Sequence, residues 1–266
     1  MPKASRQVTV TIYLADSVVN LYRKAPNDTP DCLTRRYKAL TAQKRFRDAF
    51  PRYAGACRSL RFVSAGGSYA DYGMREIRMG QNRCEATLLH EIAHHVARSH
   101  AAYGYCRDHG PGFASAFLDV VKVAQGVEAE RALRHLYRAL RIRVYKAGSA
   151  KGVLPRAPGD APAKAQSAID RIVKARDAGK AERAMLRSMI AAVTDPSREG
   201  DHEMPCPACA APAVLRIRYV TSWASRGSNG LDYSARCEAA GCGFSEYHRV
   251  AGKAYRALRA KHREAA

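Results

Sequence analysis

The sequence predicts an α+β protein, with a metal-binding helix in its first half and a small cysteine module near its end. Three observations predict it. Arg83 to Ser99 is an uninterrupted helical pattern that carries His90-Glu91-Ile92-Ala93-His94. Gln7 to Leu14, Leu60 to Ser64 and Arg75 to Gly80 are short segments of strand character, and period-two alternation is the mark of a half-buried strand. Cys206/Cys209 and Cys237/Cys242 form two close pairs around two further strand-like segments.

The helix comes first because it carries chemistry. Leu88, Leu89, Ile92, Ala93 and Val96 form a wide apolar stripe, as expected of a buried helix. Asn82 is a candidate N-cap, with Glu85 at the capping-box position three residues on. A spacing of i, i+4 puts His90 and His94 on one face, close enough to share an ion. Glu91, beside the first His, can reach a water held there and take its proton. Zinc lowers the pKa of a bound water from about 15.7 to about 7, so the pattern points to hydrolysis, above all of an amide. A five-residue pattern also arises by coincidence. The plainer reading is an amphipathic helix that happens to carry two histidines.

A third ligand decides between these readings. His100 lies six residues after His94, the interval of the extended H-E-x-x-H-x-x-G-x-x-H pattern. That pattern uses a glycine to turn the chain back, and this chain has Ala97 there. Alanine resists the left-handed conformation such a turn favours. His109 lies in Arg107-Asp108-His109-Gly110-Pro111-Gly112-Phe113. Gly110 and Pro111 mark a turn, and an apolar helix begins near Pro111. A histidine on that turn can fold back over the first helix, so His109 is the favoured ligand. His95 and His100 are expected on the surface or behind the ligands. Tyr103 or Tyr105 is a candidate to stabilise an oxyanion, from loop position alone.

His90-Glu91-x-x-His94, fourteen intervening residues and His109-Gly110-Pro111-Gly112-Phe113 together resemble the SprT-like (Spartan) zinc metalloprotease domain. The resemblance spans about residues 8 to 145, and a set of predicted actinobacterial-type metallohydrolases shares it. It implies a zincin-like core, a small sheet plus the active-site helix, with His109 as third zinc ligand. It also implies hydrolysis of peptide bonds, often in DNA-bound proteins. Gly112 departs from the acidic or bulky residue frequent in the family's box, and outside the two motifs there is no long match.

The remaining elements follow from punctuation and pattern. Ser17 to Lys24 begins a helix before Pro26 and Pro30, and Cys32 to Phe50 reads as one long basic helix ended by Pro51. The strand at Arg75 to Gly80 precedes the His90 helix, where a zincin-like core has a sheet edge able to pair with an extended peptide. Phe113 to Gln125 and Glu128 to Arg143 read as helices. Ala147 to Ala165 is rich in Ala, Gly and Pro and reads as a linker. Gln166 to Val193 is helical with a weak point at Gly179, and Thr194 to Met204 is a polar connection. Lys253 to Ala265 reads as a basic terminal helix. The expected organisation is a catalytic domain over 1–146, a linker and helical segment over 147–204, a zinc ribbon over 205–250 and a basic helix over 251–266.

Cys206-Pro207-Ala208-Cys209 is a C-x2-C knuckle, and Cys237 to Cys242 is a C-x4-C partner, with 27 residues between the pairs. Two such turns hold structural zinc tetrahedrally. Val214 to Val220, a loop over Ser225 to Gly230, and Leu231 to Arg236 read as the hairpin between them. Free thiols or a redox pair at Cys206 and Cys209 are the alternatives, and the redox reading lacks its βαβ context. Two zinc ions are therefore expected, one catalytic and one structural. Cys32, Cys57, Cys84 and Cys106 are scattered, as small buried hydrophobes are.

Composition bounds the rest. Hydrophobic content of 47% is enough for a core in 266 residues. No run of about 18 apolar residues suggests a membrane span. The first residues lack the apolar stretch of a signal peptide, so a cytoplasmic location with reduced thiols is expected. Net charge is +21. Residues 1–145 hold 24 basic against 12 acidic residues (24 − 12 = +12), and residues 146–266 hold 21 against 12 (21 − 12 = +9). Arg131, Arg134, Arg138 and Arg141 fall on one helical face, and Arg249, Lys253, Arg256 and Arg263 suggest a second stripe. Such stripes can follow a phosphate backbone without reading sequence. DNA is thus an expected partner beside a protein or peptide substrate, and solvated basic faces are the plainer account. The function expected is a zinc metallopeptidase acting on DNA-associated proteins. The alternatives are a nucleic-acid-binding zinc protein with an inactive core and a zinc hydrolase of another bond.

Overall fold

The computed structural model describes residues 15–81, 83–104, 109–147, 149, 152–192, 199–220 and 230–251. The chain is α+β and divides into two compact units, one up to Val173 and one from Lys174 onward. The expected strand at Gln7 to Leu14, the loop residues Ser225 to Asn229 and the helix at Lys253 to Ala265 lie outside the described residues.

In the first unit, α1 (Ala15–Asn20) leads to α2 (Pro30–Thr41), α3 (Lys44–Ala49) and α4 (Tyr53–Ala56). The single long helix expected from Cys32 to Phe50 is two helices. Ala42 and Gln43 interrupt it, and Gln43 has extended backbone angles. Pro30 starts α2 at a position where its missing N–H is harmless, and the Thr29 hydroxyl caps the Cys32 amide. A three-stranded sheet follows: β1 (Ser59–Phe62), β2 (Tyr69–Asp71) and β3 (Glu76–Met79), in the order β1-β3-β2. β1 runs parallel to β3, and β2 antiparallel to it. The strand before the His90 helix is therefore the centre of this sheet and not its edge. Ile77 and Met79 are fully buried, which suits a strand paired on both sides. The edge is β2.

The chain then enters α5 (Glu85–Ser99), α6 (Pro111–Gln125) and α7 (Val127–Leu140). The cap of α5 is Cys84, whose Sγ accepts from the Thr87 amide. Asn82, the expected cap, lies outside the described residues. Glu85 has a different task. Its buried carboxylate accepts from the Lys24 amide at 2.6 Å, the Ala25 amide at 2.5 Å, Arg36 Nε at 2.9 Å and Gln125 Nε2 at 3.4 Å. One anion thus ties the α1–α2 connection, α2, α5 and the end of α6 together. Val144 pairs with Val153, and Ala165, Ala168 and Ile169 at the start of α8 (Ala163–Ala192) join the first core. The Ala- and Pro-rich stretch from 152 on is thus packed chain in this unit. α8 continues through Gly179 without a break.

The second unit is an antiparallel meander, β4 (Gly200–Pro205), β5 (Pro212–Val220), β6 (Gly230–Cys237) and β7 (Ser245–Ala251), in that order. β4 and β7 extend the expected two-stranded hairpin on both sides. Alternation decides the buried face: Ala213, Leu215 and Ile217 on β5 and Leu231, Tyr233 and Ala235 on β6 are buried with Leu186 and Met189 of α8. No helix among the described residues is long and apolar enough to cross a membrane.

Glu85→Ala should destabilise the protein by about 3–5 kcal/mol, because it strands the Arg36 guanidinium, whose side chain is only 10% exposed. Denaturant unfolding of the variant checks this. A loss below about 1 kcal/mol would remove Glu85 from its role as a tie.

Candidate metal centres

Among the described residues two separate groups of side chains have metal-ligand geometry: His90, His94 and His109, and Cys206, Cys209, Cys237 and Cys242. Within each group the ligand atoms all lie within 4.8 Å of one another.

The histidine group is built from two elements. His90 and His94 project from one face of α5. His109 precedes α6, which starts at Pro111. Gly104 has φ +67°, and a Cβ there would meet the Tyr145 ring at 2.6 Å. Only glycine lets the chain leave the 3-10 helix Ala101–Tyr103 at this point. His109 Nε2 lies 2.9 Å from His90 Nε2 and 3.2 Å from His94 Nε2. Phe113, one helical turn beyond His109, covers the cluster, with its ring centroid 4.8, 4.2 and 4.9 Å from those of His90, His94 and His109. Behind His90, Nδ1 lies 3.3 Å from Asp16 Oδ1 on α1. A carboxylate on the far ring nitrogen orients a ligand imidazole and leaves Nε2 for the ion.

At His94 and His109 the electrostatics favour the neutral imidazole, the form that ligates. Burial and the neighbouring His90 and His109 hold His94 well below its ordinary range. Burial and His90 bring His109 down to about 4. Glu91 is only 2% exposed. Burial pushes its carboxyl up to about 7, with the charge of Asp16 adding to the rise, while His90 and a backbone hydrogen bond from Ala70 oppose it. Ala70 belongs to β2, so the sheet edge lies against Glu91.

The other histidines do different work. His95 is buried, not on the surface. It packs edge-on against Tyr53 and Tyr72, and its Nε2 donates to the Glu76 carbonyl at 3.2 Å, pinning α5 to β3. His100 ends α5 in extended conformation and turns its ring toward Phe50 and Tyr103, so it stays out of the group. Tyr103 donates its hydroxyl to Asp119 Oδ2 at 2.9 Å, which commits that proton within the fold. Tyr105 lies outside the described residues. Asp16 and the Ala70 backbone were not legible in the sequence, because only folding brings positions so remote to α5. Phe113 had a signal, its place in the His109 box.

The cysteine group sits where two turns of the second unit meet. Cys206 and Cys209 lie in the β4–β5 turn, and Cys237 and Cys242 at the β6–β7 turn. Sγ of Cys206 is 3.6 Å from that of Cys242, and Sγ of Cys209 is 3.6 Å from that of Cys237. The Ala208 amide points at Cys206 Sγ, 3.4 Å away. Ala210, Gly241 and Gly243 take positive φ and close the turns. All four thiols are free, and none of the separations is that of a disulfide.

The basic residues on and after α7 are in part engaged within the fold. Arg131 and Arg134 are half-buried, and Arg138 and Arg141 are exposed. Arg134 pairs with Glu130, and Arg138 reaches the Pro155 carbonyl at 3.4 Å. Two of the four guanidinium groups are thus engaged within the fold. Lys253 and Arg256 lie outside the described residues.

Comparisons of the chain with protein-family models, curated proteins and solved structures gave no match.

Purified protein should carry two metal ions per chain by elemental analysis. Joint Cys206→Ser and Cys209→Ser should remove one of them, and His109→Ala the other. A content that stays at one through all three changes would contradict two independent centres.

A second expectation concerns pH in metal-free protein. The unfolded chain protonates histidine near 6.5, whereas folded His109 resists until about 4. The unfolded state therefore binds more protons in that window, and stability falls as pH drops from about 6.5 to about 4. Denaturation midpoints of wild type and His109→Asn across that range check it. Equal pH slopes would contradict a depressed His109.

Proposed function

We propose that the chain is a zinc-dependent metallopeptidase with a second, structural zinc. The observation that carries this is the convergence of His90, His94 and His109 beside a buried, poised Glu91. Zinc suits both groups. Tetrahedral bonds of about 2.0–2.1 Å to nitrogen separate ligands by about 3.3 Å, and bonds of about 2.3 Å to sulfur by about 3.8 Å. The nitrogen separations of 2.9 and 3.2 Å and the sulfur separation of 3.6 Å are within a few tenths of those values. Three protein ligands leave one position for water or substrate, as catalytic zinc sites do, while four cysteines close the other.

Zinc at such a site supplies Lewis-acid polarisation of a carbonyl and activation of water. The protein does the rest. Asp16 holds His90 in one orientation. Glu91 takes the proton of the attacking water on a carboxylate oxygen and passes it to the leaving amine nitrogen. Its carboxyl, raised by burial, is matched to an exchange of protons near neutrality. Phe113 shields the imidazoles from solvent. β2, with β3 as its one neighbour in the described sheet, offers backbone groups to an extended peptide alongside Glu91. That edge is what favours a peptide over another hydrolysable bond. In motif and ligand order the chain is similar to the SprT-like metalloproteases. A zincin-like core and a zinc ribbon are the fold names that fit this reading.

The net charge of +21 supports DNA as the place where enzyme and substrate meet. The exposed cations of both units are suited to a polyanion, and co-localisation raises effective concentration.

Glu91→Gln preserves size and removes the base. It should keep both zinc ions and the fold yet lower peptide hydrolysis by about 10²–10⁴-fold. If wild type and Glu91→Gln are equally inert on casein, on DNA-bound protein and on the chain itself, the peptidase reading fails and a binding protein is favoured.

Cleavage of a DNA-binding protein should rise when DNA is added and decline with salt, since binding weakens with a log–log slope of about −0.9 per phosphate contact. Equal rates with and without DNA at low and high salt would make this a DNA-independent hydrolase.

A further inference from the structure

Tyr72 follows β2, in the turn that leads to β3. Its ring lies 5.3 Å from that of His95, and the Arg98 guanidinium sits over it at 4.2 Å. Glu91, His95 and Arg98 are spaced i, i+4 and i+7, so they share one face of α5. β2 and its turn run along that face, because the Ala70 backbone meets Glu91 while the Tyr72 ring meets His95 and Arg98. Arg98 also stands one helical turn beyond His94. The same stretch is apolar on its outside. Tyr69, Tyr72 and Met74 are three of the seven large apolar side chains exposed among the described residues, and such grouping marks a contact surface.

The pair has a defined chemistry. A guanidinium stacked on a ring is fixed in its plane, and its N–H edge stays open to a carboxylate. Arg98 is exposed, and among the described residues no carboxylate pairs with it. Asp71 and Glu76, the acids of β2 and β3, are both held by Arg78. Arg78 alternates with the buried Ile77 and Met79, so that ion-pair group occupies the other face of the sheet. Along an extended peptide paired to the edge of β2, every second side chain points to the α5 face. A side chain two positions from the residue beside Ala70 therefore reaches Tyr72 and Arg98.

We propose that Tyr72 and Arg98 form a subsite for an acidic side chain of an extended peptide, the Arg98 guanidinium binding the carboxylate and the Tyr72 ring positioning the guanidinium. The subsite rests on the peptidase reading and names a substrate class for it: peptides with Asp or Glu close to the cleaved bond.

The test compares peptides that carry Glu, Gln or Lys at a single position, scanned along both sides of one cleavable bond. There are two readouts. One is kcat/KM with the zinc-loaded full chain. The other is Kd by fluorescence anisotropy with zinc-loaded Glu91→Gln, which holds the peptide uncleaved. At one position Glu should be favoured over its isostere Gln by about fivefold in both, the upper range for an exposed ion pair. Arg98→Gln should bring that ratio to about one, and Arg98→Glu should make Lys the preferred residue. Tyr72→Phe should keep the ratio because the ring remains, whereas Tyr72→Leu should lower it to about twofold. Circular dichroism and zinc content verify each variant. A wild-type ratio near one at every position, or a preference for Glu that survives Arg98→Gln, overturns the subsite and leaves the peptidase reading standing. Absence of both cleavage and binding for every peptide overturns the two together.

Discussion

Three imidazole nitrogens face one another across 2.9 and 3.2 Å, and most of the first unit is arranged around that contact. Neutral imidazole has one N–H and one lone pair, so three rings aimed at one point cannot all satisfy each other. Protonating them brings like charges together in a buried place. A shared cation resolves both difficulties, because it accepts three lone pairs and leaves the outer nitrogens to donate. The depressed affinity of His94 and His109 for protons is the same fact seen as acid–base chemistry.

Such a cluster needs rigid supports. α5 supplies them by being buried on nearly every side, with polar groups assigned to particular partners. Glu85 anchors its first turn to four donors. His95 ties its third turn to β3. Glu91 meets the backbone of β2. Burying these groups is unfavourable unless each finds its partner, so the polar contacts select one placement of the helix that apolar packing alone would leave open. The three-stranded sheet is then held where its edge borders the Glu91 carboxylate.

The second unit follows a simpler logic. Its four sulfurs come from two turns at one end of a meander, and strand alternation buries the other side against α8. Each pair of ligands is local in sequence, so the turn chemistry of Pro207, Ala210, Gly241 and Gly243 nearly completes each half-site before the sheet forms. The first unit has the reverse economy: His109 and Asp16 are distant from His90 in the chain, and packing alone unites them.

This contrast explains what was legible. His90, Glu91 and His94 were readable because helical periodicity converts spacing into direction. His109 was readable from a turn of Gly110 and Pro111 and a helix beginning at Pro111. The cysteines were readable because knuckle spacing is local. Periodicity failed where continuity or neighbours mattered. The α2–α3 break at Gln43 has no Pro or Gly to announce it. The central place of β3 depends on which strands flank it, and alternation within one strand carries no such information. By itself, then, the sequence determined the helix that bears His90 and His94, the two groups able to hold a metal ion and the sense of the charge. The tertiary structure decided that Asp16 backs His90, that β2 is the edge beside Glu91, that Glu85 is a tie instead of a cap, and that the Tyr72 ring lies against Arg98. These depend on contacts between segments far apart in the chain, and a linear pattern records only what neighbouring residues impose on one another.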